Sequence, residues 1–71
     1  MESKQELVET LWEREEYLEG EWYQLLELAD KMGGLVVLKE SAPLDAKDLM
    51  EALTATRKAL VSIRRMIYRN K

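Results

Sequence analysis

Apolar residues recur along this chain at three- and four-residue steps, in two long blocks separated by a short irregular stretch. In the first block Leu7, Leu11, Leu18, Trp22, Leu25, Ala29 and Met32 share one face at 3.6-residue spacing, the signature of an amphipathic helix. That helix is expected from about Lys4 to Met32, on the order of 43 Å long at 1.5 Å per residue. Ser3 and Glu6 fit a capping box at its start, and Glu2, Glu6 and Glu9 suit the positive end of its dipole. Gly20 lies inside and costs about 1 kcal/mol relative to Ala. The apolar face keeps its phase across Gly20, so one helix is expected there. Gly33-Gly34 then supplies the left-handed residue that ends a helix.

The second block, Leu49, Leu53, Thr56, Leu60, Ile63 and Ile67, predicts a helix from about Ala46 to Arg69, roughly 36 Å long. Asp45 reads as its N-cap, with Leu44 and Leu49 as a hydrophobic staple. Arg64, Arg65 and Arg69 crowd the last turns, where cations favour the negative end of the dipole. The connection contains Leu35-Val36-Val37-Leu38, which has two readings. One is a hydrophobic lid with a helical turn. The other is a short strand pairing with its own copy, since a lone strand leaves backbone groups unpaired. Two long helices of similar length around one connection predict a single all-α domain, 1–71: an antiparallel two-helix hairpin (about 4–32 and 46–69).

The first helix carries more apolar surface than one partner covers. A second stripe, Val8, Trp12, Tyr23 and Leu26, runs beside the main face and is interrupted by Glu15 and Glu19. The second helix has a flank of small residues, Ala52, Ala55 and Ala59, with Met66 beyond. An exposed apolar patch of several hundred Å² usually marks an interaction surface. Val8, Trp12, Trp22, Tyr23, Leu26, Ala52, Ala59 and Met66 are therefore the expected interface of a homodimeric four-helix bundle.

Composition narrows the chemistry. The 71 residues include no Cys and no His, which excludes disulfide scaffolds, thiol nucleophiles, imidazole bases and zinc fingers. No apolar run approaches the roughly 20 residues of a membrane span, and the first residues lack the apolar segment of a signal peptide. A cytoplasmic protein is the expectation. The net charge of −3 hides an asymmetry: residues 1–33 hold 10 acids and 3 bases, residues 34–71 hold 4 acids and 8 bases. An antiparallel pairing sets Glu6, Glu9, Glu13 and Glu16 towards Arg64, Arg65, Arg69 and Lys71.

Charged residues near the apolar faces are the remaining candidates. Arg14 and Glu15 fall where core residues are expected, and Arg57 and Arg64 flank the seam of the second helix; these four are read as partners that set helix register. Glu15-Glu16-Tyr17-Leu18-Glu19 reads E-E-x-x-E and Glu27-Leu28-Ala29-Asp30 reads E-x-x-D. Together they resemble the magnesium-binding signature of the all-α nucleoside triphosphate pyrophosphatases of the MazG type, which would imply a hard-cation site. That family carries its motifs on separate packed helices. Here both lie on one helix, with Glu19 and Glu27 about 12 Å apart along the axis, too far to share an ion. An inward Arg and Glu also resemble the all-helical chorismate mutases, whose third helix and aligned motif are absent. Lys58, Arg65, Arg69 and Lys71 lie near the outer face of the second helix as a phosphate-contacting stripe would, and Rop-type RNA-binding hairpin dimers are an architectural parallel. The resulting expectation is a non-enzymatic, cofactor-free adaptor, small chaperone or regulator acting through protein contact. Nucleic-acid binding is the alternative.

Overall fold

The computed structural model describes residues 4–71 and is helical throughout: α1 Lys4–Lys31, α2 Leu35–Ser41 and α3 Pro43–Asn70. At 28 residues apiece, α1 and α3 each span about 42 Å. Ser3, the expected capping hydroxyl, lies outside the described residues. A Cβ added at Gly20 would meet nothing within 4 Å, and α1 continues unbroken through it.

The end of α1 is set by two backbone bonds. Gly34 N–H donates to Ala29 O at 2.8 Å and Gly33 N–H to Asp30 O at 3.1 Å, the paired bonds of a Schellman stop. Gly33 has φ +93° and Gly34 φ +94°, a region that disfavours L side chains. From Gly34 the chain enters α2, whose first bond runs from Leu38 N–H to Gly34 O at 2.9 Å.

The strand reading of Leu35-Val36-Val37-Leu38 is therefore overturned: the segment is helical. Helical spacing turns Leu35 and Leu38 inward together, whereas strand alternation would have grouped Leu35 with Val37. Leu38 is 3% exposed and Val36 74%. The segment is thus a lid of about two turns.

The start of α3 also differs from expectation. Ala42, not Asp45, is the cap residue: its N–H donates to Leu38 O at 2.7 Å and its carbonyl accepts from Ala46 N–H at 3.0 Å. The last bond of α2 and the first of α3 thus share one residue. Pro43 follows at N1, where its missing N–H costs nothing. Asp45 sits in the first turn, where its charge favours the helix dipole. The earlier start places Leu44 inside the helix about 140° from Leu49, at 77% exposure, so no staple forms.

Between α1 and α3 runs a seven-residue seam. On α1 it follows Val8, Leu11, Glu15, Leu18, Trp22, Leu25 and Ala29; on α3 it follows Ala46, Leu49, Leu53, Thr56, Leu60, Ile63 and Ile67. All of these are buried or half-buried. Alternating steps of three and four residues are what two helices need to interlock along their length. Leu7, expected in the core, lies off this repeat and is 38% exposed, whereas Met32 continues its spacing but falls beyond the end of α1 at Lys31 and is 40% exposed. Val8, expected at an interface, is buried within the hairpin itself. Ala29 meets Ala46, Leu49 and Leu53 near the α2 lid, while Glu15 and Glu19 reach Arg64 far along α3. This packing fits a helical hairpin, 54 Å long and 16 Å across. Among the described residues no helix is long and apolar enough to cross a membrane.

Candidate interaction face

The seam divides the hairpin surface into two sides. Trp12, Tyr23 and Leu26 lie on one side of α1, separated by 11 and 3 residues, about three turns and one turn. Met50, Val61 and Tyr68 of α3, separated by 11 and 7, lie on that same side of the molecule. Trp22 and Leu26 line one groove with Met50 and Val61, and Trp12 shares a hollow with Tyr68. Five of the six side chains on this tryptophan face are more than 40% exposed, and Leu26 is 36% exposed. Its central groove, about 810 Å³, is lined by Trp22, Leu26, Leu35, Met50, Leu53 and Val61, with Arg57, Lys58 and Arg65 at the edge. No carboxylate lines that groove.

The eight residues expected to form one interface do not converge. Nine residues, about two and a half turns, separate Ala52 from Val61 and Ala59 from Tyr68, which sets them on opposite sides of α3. Ala52, Ala59 and Met66 form an alanine face behind the hairpin, where they are half-buried. Val8 is core, and Trp22 is a half-buried seam residue packed against the turn-end cluster. Trp12, Tyr23 and Leu26 remain outward. Sequence reading missed Met50, Val61 and Tyr68, whose 11- and 7-residue spacing was the available signal.

The charged candidates divide in the same manner. Arg64 Nε donates to Glu15 Oε2 and its Nη2 to Glu19 Oε1, both at 2.8 Å, bridging α3 to α1. Both carboxylates raise the Arg64 guanidinium above its ordinary value, the Glu15 hydrogen bond most and the Glu19 bond next. Any stability this shift contributes is present across the neutral range and is lost only as pH rises through the alkaline titration of that group. The side chain of Glu15 is 26% exposed and occupies a seam position, which explains why an acid interrupts the apolar pattern there.

Arg14 does not join this cross-link. One residue displaces it by about 100° to the outer surface, where its guanidinium lies 5.1 Å from the Tyr17 ring centroid. Arg57 flanks the groove without an ion pair among the described residues. The expected facing of Glu13 and Glu16 with Arg65 and Arg69 is not formed: these four are exposed, and the bridging carboxylates are Glu15 and Glu19. Lys58, Arg65, Arg69 and Lys71 are also exposed. Lys58 and Arg65 edge the groove, and Lys71 lies by Trp12.

Arg64 engages two of the three carboxylates of the E-E-x-x-E run, and among the described residues no three carboxylates gather as a metal site. No family model matches the chain, and neither a curated protein nor a solved structure shows significant similarity to it.

Proposed function

We propose that this chain is a non-catalytic cytoplasmic protein that works by protein–protein contact, as an adaptor, small chaperone or regulator. Its working form is a homodimer in which two hairpins close their tryptophan faces into a four-helix bundle. The observation that carries this reading is the unclosed surface. The chain exposes 5690 Å², where a compact monomer of 8.3 kDa is expected to expose about 4,600 Å². That excess is comparable to the roughly 800 Å² per partner of a standard interface. Large apolar side chains from both helices occupy the tryptophan face, whereas α3 offers the alanine face only small or half-buried ones.

Sedimentation equilibrium tests this reading. Wild type should give about twice the 8.3 kDa chain mass. Val61→Glu should reduce it to the monomer without unfolding, because Val61 is exposed in the hairpin. Leu28→Glu, on the opposite side of α1, should leave the doubled mass intact. A monomeric wild type would overturn the dimer.

Nucleic-acid binding is a second reading, favoured by one observation. From Arg57 to Lys71 six bases stand without an acid, and Lys58 and Arg65 lie two turns apart along an exposed edge. It requires an RNA or DNA shift that weakens steeply with salt and is lost in Lys58→Glu with Arg65→Glu.

A further inference from the structure

The two edges of the tryptophan face carry opposite charge, and this bears on how two copies meet. On α1, Glu9, Glu16, Tyr23 and Asp30 follow at seven-residue intervals, so carboxylates flank Trp12, Tyr23 and Leu26 along the outer edge. On α3 the flanking groups are Lys47, Arg57, Lys58 and Arg65 with one carboxylate, Glu51, so this edge is basic by three charges, and no carboxylate lines the groove beside Arg57, Lys58 and Arg65. Glu16, Arg57, Lys58 and Arg65 form no ion pair among the described residues.

Two-fold symmetry allows two ways to close such a face on itself. With the axis across the helices, α1 lies over α1 and α3 over α3, so acidic edge meets acidic edge and basic meets basic. With the axis along the helices, α1 of each copy lies over α3 of the other, and each acidic edge meets a basic one. The closed ends of the hairpins then coincide.

Resting on the homodimer reading, we infer that the occupant of the tryptophan face is a second copy oriented with the two-fold axis parallel to the helices, so that both α2 lids sit at the same end. Complementary edges favour this topology, and like-charge apposition disfavours the alternative. Glu15, Glu19 and Arg64 are already paired within each hairpin, and the net charge of −1 they leave belongs with the acidic side. The remaining charges match in height. Glu15 and Glu19 bond to Arg64, so Glu16 of one copy comes level with Arg65 of the other, and Asp30 comes near Lys47.

The chain has no native cysteine, so one introduced thiol reports the geometry without interference. Glu40→Cys places a spin label on the exposed surface of α2. Pulsed electron resonance should give an inter-label distance on the order of 20 Å, about two interhelix spacings. Sedimentation of the same labelled sample separates the two claims. A doubled mass with labels separated by nearly the 54 Å length of the hairpin overturns the parallel topology and leaves the dimer standing. A monomeric mass with no dipolar signal overturns both.

Discussion

The two ends of the hairpin are built from the same kinds of residue and enclosed to different degrees. At the closed end, Ala29, Leu38, Ala46, Leu49 and Leu53 form one cluster, with Trp22, Leu25, Leu35 and Ala42 packed against it. Three helices meet there, and Ala46 and Leu38 are 1% and 3% exposed. At the open end, Val8, Leu11, Leu60 and Ile67 are buried, but Trp12 and Tyr68 beside them are about half and four-fifths exposed. Two helices bury one seam; a third element is needed to cover the flank. The chain supplies that element once, as seven residues between Gly34 and Ala42, and for the rest of its length the flank stays open, to be covered by a second copy under the proposed dimer.

Mutations test this contrast in order of size. Leu38→Ala removes the side chain that α2 inserts into the cluster and should cost about 3–5 kcal/mol, read from urea unfolding. Leu11→Ala, at the open seam, should cost about 2 kcal/mol when measured dilute. Equal losses would mean that the lid adds no enclosure.

Glycines give a sharper contrast of opposite sign. At Gly33, φ +93° and the Val37 Cγ1 only 3.2 Å from an added Cβ make Gly33→Ala unfavourable by about 1–2 kcal/mol. Gly20→Ala, in an exposed helix interior with open space, should stabilise by up to about 1 kcal/mol. Thermal melts of the two variants should move in opposite directions. Glu19→Gln should have the smallest effect, because it breaks only the half-exposed pair with Arg64, which contributes about 0.2–1 kcal/mol, and the loss should shrink in 1 M salt.

Much of this architecture was legible before any coordinates. Periodicity gave α1 to within a residue of its end and α3 to within three of its start. The errors have specific causes. Leu35-Val36-Val37-Leu38 is rich in β-branched residues, which fit a strand as well as a buried turn of helix. Its brackets, Gly33-Gly34 and Ser41-Ala42-Pro43, were the better guide, since a Schellman stop and a Pro at N1 delimit a short helix. Anchoring the first seam on Leu7 instead of Val8 placed Val8 outside the core, because a helix turns about 100° per residue. Arg14 was misplaced by the same one-residue step from Glu15. Treating Glu15 as a seam position reveals the full repeat from Val8 to Ala29. Which flanks share a side of the hairpin depends on how both helices are rotated against each other, and neither helix records that alone.

Self-association through the tryptophan face is the central claim, and its most direct test is the melting temperature as a function of protein concentration. Linked folding and association, with about 0.7 kcal/mol of unfolding enthalpy per residue, give a rise of roughly 10 °C over a hundredfold increase. In Val61→Glu the melt should be independent of concentration. A wild-type melting temperature that does not change over that range would contradict the account.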